Sequence, residues 1–345
     1  NEGRSLQFSD LDGDGLLDIV SISDGDYDIV WFQNLGGGSY SSIMILSEVD
    51  RRFTAIATGD IDEDGDIDVF TTVESQDVLM SYENLGAAVF GEPLIITNSI
   101  QAATVVKCVD IDRDGDEDVL LINGGLIPER RGVSWFENMG FGVFSKSKML
   151  GNADSSSPSD IDYGDIDGDG DLDIVFTIPS GESPHILWLE NYEDTAFSEI
   201  LYFDEIEVNA REISLVDYDN DGDLDFIIGQ HTWAYAIQNS GDGSFLPVTS
   251  LIDAASGSIN SLDCADFNGD GYIDILMTFS REAPNQIAWF RNQGDGTFNT
   301  LTFIASEGDM MALAYGFDID SDGDIDIVSG SYNDGLLSWF ENDGT

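Results

Sequence analysis

Apolar residues along the chain fall in short bursts of four to eight, each closed by Gly, Asn or Asp. One stretch reads "FTAIATGD", then "DVFTTVE" after an acidic loop, then "VLMSYEN", then "AVFGEPLIIT". These four segments are rich in β-branched and aromatic residues, and turn residues separate them, which predicts four short strands. No segment sustains a 3.6-residue period, so little helix is expected. The same four-segment pattern runs through the chain seven times.

Two landmarks set the period. An acidic motif opens at Asp10, Asp60, Asp110, Asp165, Asp217, Asp266 and Asp318, with gaps of 50, 50, 55, 52, 49 and 52 residues. After each motif comes a second landmark: "WFQN" at Trp31, "SYEN" at Ser81, "WFEN" at Trp135, "WLEN" at Trp188, "AIQN" at Ala236, "WFRN" at Trp289 and "WFEN" at Trp339. Six of these are followed by a turn and an aromatic: Tyr40, Phe90, Phe144, Phe197, Phe245 and Phe298. Four strands per repeat of about 50 residues, repeated seven times, predict an all-β, seven-bladed β-propeller with four-stranded antiparallel blades. A linear solenoid is the competing architecture, but it uses shorter repeats and atypical caps. No linker or composition shift interrupts the repeats, so residues 1–345 are expected to form one domain. After "WFENDGT" no fourth-strand segment follows, so the last blade is expected to lack its outer strand.

Composition narrows the class. The 345 residues carry 42% apolar content and a formal charge of −56, with 6 Trp, 11 Tyr and 20 Phe. That many aromatics separate the chain from acidic disordered tails. Phosphate binding needs a basic footprint, so nucleic acid is not an expected partner. No apolar run reaches the 18 residues of a membrane helix, and membrane insertion is not expected. The start, "NEGRSLQF", has no initiator Met and reads as a mature or trimmed segment. No N-x-S/T sequon occurs. Cys108 and Cys264 lie three repeats apart, beyond disulfide reach in a propeller, and are expected to act as small core residues.

The acidic loops carry the chemistry. Position 1 is Asp10, Asp60, Asp110, Asp165, Asp217, Asp266 and Asp318; position 3 is Asp12, Asp62, Asp112, Asp167, Asp219, Asn268 and Asp320. Position 5 is Asp14, Asp64, Asp114, Asp169, Asp221, Asp270 and Asp322; position 9 is Asp18, Asp68, Asp118, Asp173, Asp225, Asp274 and Asp326. Position 6 is always Gly. Like charges about 4 Å apart repel by roughly 1 kcal/mol in water and about 4 kcal/mol near a protein surface. Short carboxylates at alternating positions around a glycine turn resemble the start of an EF-hand loop, and all-oxygen ligation suits calcium over zinc or magnesium. About seven calcium ions are expected, held by side chains 1, 3, 5 and 9. The backbone carbonyl of position 7 (Leu16, Asp66, Asp116, Asp171, Asp223, Tyr272 or Asp324) is expected to join them. Plain solvated turns are the alternative, and seven matches at four fixed positions speak against it. The loop containing Asn268 carries one charge less and should bind most weakly.

The run "DFNGDGYID…WFRNQGDGTF", Asp266 to Phe298, resembles the FG-GAP/VCBS repeats of integrin alpha-chain propellers and many secreted proteins, and the likeness extends along essentially the whole chain. The resemblance implies a seven-bladed propeller with calcium between the first and second strands of each blade. It leaves activity open, because such repeats serve adhesion proteins, lectins and polysaccharide-degrading enzymes alike.

Other residues add less. Five of the six Trp occupy the second landmark, where repetition favours a packing role between blades over sugar stacking. Arg4, Arg51, Arg52, Arg130, Arg131, Arg211 and Arg281, with His185 and His231, are expected at the blade ends away from the Asp loops. Either loops simply carry polar residues, or that less acidic side binds something anionic. His231 stands with Trp233 and Tyr235, and a His–Tyr–Arg set there could abstract a proton from a uronic acid, as in some polysaccharide lyases; a lone His near a strand end is more often structural. No G-x-S-x-G, H-E-x-x-H or phosphate-cradling motif is present. The leading expectation is therefore a non-catalytic, calcium-stabilised module, extracellular or at the cell surface, serving adhesion or structural assembly. In its sharper form, unless residues further along complete blade seven, it joins copies of itself or a protein partner through that blade's open edge, as in a fibre. A lectin-like carbohydrate binder is the alternative, and a polysaccharide lyase the third.

Overall fold

The computed structural model describes residues 6–22, 28–41, 44–47, 52–73, 76–125, 127, 130–152, 156–179, 186–192, 195–198, 201–202, 210–230, 233–253, 258–280, 286–299, 302–305, 311–331 and 337–344. Seven antiparallel blades follow one another, as the repeats predict, in the architecture of a seven-bladed β-propeller. Blade one is built from Leu6–Ser9, Asp18–Ile22, Ile29–Phe32 and Met44–Ser47. Blade two uses Phe53–Gly59, Asp68–Val73, Val78–Tyr82 and Leu94–Thr97, and blade three Ala103–Val109, Asp118–Asn123, Gly132–Phe136 and Lys148–Asn152. Blade four uses Asp160–Gly164, Asp173–Thr177, Ile186–Leu189 and Leu201–Tyr202; blade five uses Glu212–Val216, Asp225–Gln230, Trp233–Ile237 and Thr249–Asp253. Blade six uses Ser258–Ala265, Asp274–Ser280, Gln286–Phe290 and Thr302–Ala305, and blade seven has three strands, Met311–Phe317, Asp326–Ser331 and Leu337–Phe340.

The chain divides into two compact units, Asn1–Ser159 with Glu193–Glu199, and Asp160–Tyr192 with Ile200–Thr345. In the first unit, Val20, Trp31, Ile56, Val69 and Met80 form one core between blades one and two. Ala57, Phe70, Val106, Val119 and Leu121 form another between blades two and three. The second unit repeats this with Val175, Trp188, Ile213, Phe226 and Ile228, then with Ile227, Leu262, Ile275 and Met277, then with Phe267, Leu276, Ala314 and Ile327. The core thus lies between sheets, and a middle strand is covered on both faces. That is why "DVFTTV" and "DVLLIN" read as near-continuous apolar runs and are buried at every residue.

Aromatics of the second or third strand of one blade and of the turn after the next blade's third strand lock neighbouring blades together. Trp188 meets Phe245 edge-on at 5.8 Å, Phe70 meets Phe144 at 6.3 Å, and Trp135 meets Phe197 at 6.1 Å. The packing role expected of the landmark tryptophans holds for Trp31, Trp135 and Trp188, which are buried. A bulge between third and fourth strands recurs at Ile29/Val30, Leu79/Met80, Val133/Ser134, Ala234/Tyr235 and Ile287/Ala288, bending these five outer strands at the same place. Cys108 and Cys264 are free thiols packed at the edges of two cores, and burial pushes both upward.

Candidate metal centres

Each acidic loop joins the first strand of a blade to the second. The register closes it identically every time: Ser9, Gly59, Val109, Gly164, Val216, Ala265 and Phe317 pair with the position-9 aspartates Asp18, Asp68, Asp118, Asp173, Asp225, Asp274 and Asp326. The eight residues between must reverse the chain. Two of them take left-handed backbone, the glycine at position 6 and the residue at position 4. At position 4 the chain has Gly13, Gly168 and Gly269 but also Glu63, Arg113, Asn220 and Ser321, all at positive φ.

Within the loop the aspartates organise the backbone. The position-6 amide donates to position 1, as Gly15 to Asp10 Oδ2 at 2.8 Å and Gly271 to Asp266 Oδ2 at 2.7 Å. The position-7 amide donates to position 5, as Asp66 to Asp64 Oδ1 at 2.9 Å. With the position-5 amide donating to position 3, as Asp14 to Asp12 Oδ1 at 3.2 Å, these bonds tie carboxylates 1, 3 and 5 to the loop's own backbone. The position-7 side chains instead lie against the glycine that follows the landmark asparagine. A Cβ on Gly86 or Gly140 would sit 3.3 Å from Asp66 Oδ2 or Asp116 Oδ2.

Position 9 does more than complete a ring of oxygens. Asp68 Oδ1 accepts from the Asn84 amide at 2.7 Å and Oδ2 accepts from the Ile61 amide at 3.1 Å. The pattern repeats at Asp18, Asp118, Asp173 and Asp326, so this carboxylate staples the loop entry to the end of the third strand. The asparagine it grips is a second node. Asn138 Nδ2 donates to Glu117 O in its own blade at 3.2 Å and to Ile61 O in the preceding loop at 2.9 Å, while its Oδ1 accepts the Gly140 amide. The invariant Asn of the second landmark is therefore a clip from blade to blade, a role the repeat pattern did not reveal.

The donor set fits a hard divalent cation. Oxygens of Asp10, Asp12 and Asp18 lie within 4.8 Å of one another, as do those of Asp60, Asp62 and Asp64, of Asp110, Asp112 and Asp118, of Asp165, Asp167 and Asp169, and of Asp217, Asp219 and Asp225. Among the described residues, Asp60 Oδ1, Asp110 Oδ1, Asp165 Oδ1 and Asp219 Oδ1 are buried oxygens with no hydrogen-bond partner. A buried carboxylate oxygen without a partner is costly unless a cation meets it. The loop residues would hold calcium, which would supply that missing charge and join loop to strand.

Electrostatics agree. Burial, set against the Asn84 and Ile61 amides, raises Asp68 to about 7, and burial likewise raises Asp118, Asp173 and Asp225 to about 7 and Asp18 to about 6. Asp112 is pushed up to about 6 by burial and then by Asp114 and Glu137. Protonation is the remedy available to such a carboxylate when no cation is at hand.

Of the basic residues expected at the opposite blade ends, Arg130 and Arg131 lie between the second and third strands of blade three, where Arg131 Nε donates to Gly125 O at 2.7 Å. Arg211 precedes the first strand of blade five, and Arg52 that of blade two. Arg4, Arg51, Arg281, His185 and His231 lie outside the described residues. Trp233 and Tyr235 stack at 6.2 Å with 20° between their planes. No helix among the described residues is long and apolar enough to cross a membrane.

A propeller whose blades each carry an Asp-rich loop between first and second strands defines the class. The family model of the FG-GAP-like repeat matches residues 10–71, 60–121, 110–176 and 217–277, well over half of the chain. The chain belongs to the FG-GAP-like repeat family. No curated protein sequence matches it closely enough to be a relative. Among solved structures it is similar to an Agrocybe aegerita lectin described as specifically recognising non-reducing terminal N-acetylglucosamine, with 17% identity, TM-score 0.66, and 89% of this chain and 81% of the lectin covered. It is also similar to BBS1N solved in complex with ARL6DN, with 12% identity, TM-score 0.63, and 99% and 92% covered. YCF48 from Cyanidioschyzon merolae is a third, with 10% identity, TM-score 0.61, and 99% and 95% covered. At these identities the likeness is one of fold.

Proposed function

We propose that the chain is a calcium-rigidified, non-catalytic binding module that works outside the cell or at its surface, in adhesion or structural assembly. The observation that carries this reading is the set of buried, partnerless carboxylate oxygens gathered in the acidic loops of blades two to five. Millimolar calcium outside cells fills such loops even at modest affinity. The fold then becomes a rigid platform, and binding falls to its surface.

One surface favours a partner. The turn after the landmark asparagine exposes Leu35 in blade one, Leu85 and Val89 in blade two, and Met139, Phe141 and Val143 in blade three. Phe141 is 77% exposed. In blades five, six and seven the residue after that asparagine is Ser240, Gln293 or Asp343. Apolar tips on three successive turns suit a protein partner better than water. The test is binding of the calcium-loaded chain to itself by sedimentation and to cell-surface or matrix proteins by surface plasmon resonance, with F141S/M139S expected to weaken it. Undiminished binding by that variant would refute the assignment to these turns.

The second reading is carbohydrate binding. The fold likeness to a lectin and the stacked pair Trp233 and Tyr235 favour it, because a sugar face stacks on such rings. A glycan array decides between the two readings. Absorbance from unsaturated uronates tests the lyase reading, whose histidines lie outside the described residues.

A further inference from the structure

The residue just before the landmark asparagine changes from blade to blade: Gln33, Glu83, Glu137, Glu190, Gln238, Arg291 and Glu341. It sits at the end of the third strand, beside its own blade's acidic loop. Gln33 Nε2 donates to Asp12 Oδ2, and Gln238 Nε2 donates to Asp219 Oδ2, each at loop position 3. Glu83 and Glu137 instead add negative charge beside Asp62 and Asp112. Only blade six places a cation there.

In blade six, Arg291 Nη2 lies 2.7 Å from Asp270 Oδ2. Asn268 replaces the usual aspartate at position 3. An asparagine carbonyl can ligate calcium, but here the amide nitrogen faces inward, and Nδ2 donates to Asp274 Oδ2 at 2.7 Å. Trp289 Nε1 donates to the same oxygen at 3.0 Å. Asp266 accepts the Asp270 and Gly271 amides, Asp270 Oδ1 the Tyr272 amide, and Asp274 Oδ1 the Asn292 amide. Every carboxylate oxygen of the sixth loop's three aspartates thus accepts a hydrogen bond from the chain itself. The neighbouring loop adds a tie, Asn220 Nδ2 to Gly271 O at 2.9 Å. Loops two to five, by contrast, hold buried oxygens with no such partner. Loops one and seven show none among the described residues, but they carry Gln33 or Glu341 in place of Arg291 and keep Asp12 or Asp320 in place of Asn268.

We propose that blade six is held without metal, its acidic loop neutralised from within by Arg291 and Asn268. The sixth loop is then a calcium-independent member of a calcium-dependent series. A guanidinium salt bridge supplies the positive charge, and the amide of Asn268 turns the ring's inward face from acceptor to donor. The inference rests on the reading of the other loops as calcium sites.

The test counts calcium bound to the whole chain, by native mass spectrometry and titration calorimetry after exhaustive chelation. D169N, in the fourth loop, is expected to lose one ion. D270N, in the sixth, is expected to bind as many as the unaltered chain, and N268D/R291E one more. Loss of an ion in D270N overturns the proposal, as does failure of a folded N268D/R291E variant to gain one. If that double variant does not fold, D270N against D169N decides alone. If the unaltered chain binds no calcium and D169N changes nothing, the parent reading fails, and the contrast between loops falls with it.

Discussion

Asn84 of the second blade donates from Nδ2 to the main-chain carbonyl of Leu11 in the first, at 2.8 Å and across 73 residues of sequence. The same bond recurs from Asn138 to Ile61, Asn292 to Tyr218 and Asn342 to Phe267. Each clip ends inside the preceding acidic loop. Loop shape and blade-to-blade cohesion are therefore one structure, and whatever tightens a loop tightens the seam beside it.

Asn84→Ala tests the clip. It leaves Leu11 O and Ile67 O without this donor and the Gly86 amide without its acceptor. A buried group left unsatisfied costs about 1–3 kcal/mol, so the urea midpoint should fall by at least the equivalent of one such group with an unchanged slope. Asn342→Ala should cost less, because Asn342 is only partly buried. Equal small effects at both positions would remove the clip from the account.

The core between blades has its own prediction. Phe226 is fully buried and lies 5.0 Å from Phe245, which in turn packs on Trp188. Phe226→Ala should destabilise by about 3–5 kcal/mol. Calorimetric melts measure it, and a loss under about 1 kcal/mol would mean that the seam repacks.

The pH dependence should reverse with calcium. Asp68, Asp118, Asp173 and Asp225 are raised to about 7 and Asp18 to about 6, mainly by burial, whereas unfolded aspartates titrate near 4. A raised folded value contributes stability that is full below about pH 4 and is lost as pH rises through 6 to 7. The calcium-free protein should thus be more stable at pH 5 than at pH 8. With calcium present the protons must leave before the ion binds, so the stabilisation calcium adds should shrink from pH 8 to pH 5. Urea midpoints at both pH values, with and without calcium, decide it. A calcium-free protein that weakens on acidification across that range contradicts the assignment.

Much of this was legible along the chain because the repeat is periodic in local terms. Strand bursts, the Asp spacing at positions 1, 3, 5 and 9 and the invariant Gly at position 6 are all short-range signals, and the blades form as they predict. What escaped is long-range or conformational. Asn84 and Leu11 are neighbours only once two blades pack. Position 9 reads as a ligand, yet Asp68 also staples two amides from different strands, which shows only when the third strand returns. The left-handed backbone at position 4 is shared by Gly13, Glu63, Arg113 and Ser321, residue types with no common signature. Arg291 occupies a position that varies from repeat to repeat, and its meaning depends on reaching Asp270.

The central claim is that calcium completes the acidic loops and thereby stiffens the fold. Each ion bound only by the folded state adds about 2.7 kcal/mol when free calcium is 100 times its dissociation constant. The direct measurement is the thermal midpoint at a series of free calcium concentrations, against a chelated sample at the same pH and ionic strength. The account predicts a midpoint that rises on adding calcium and keeps rising with its logarithm. A midpoint indifferent to calcium across the micromolar to millimolar range would contradict it.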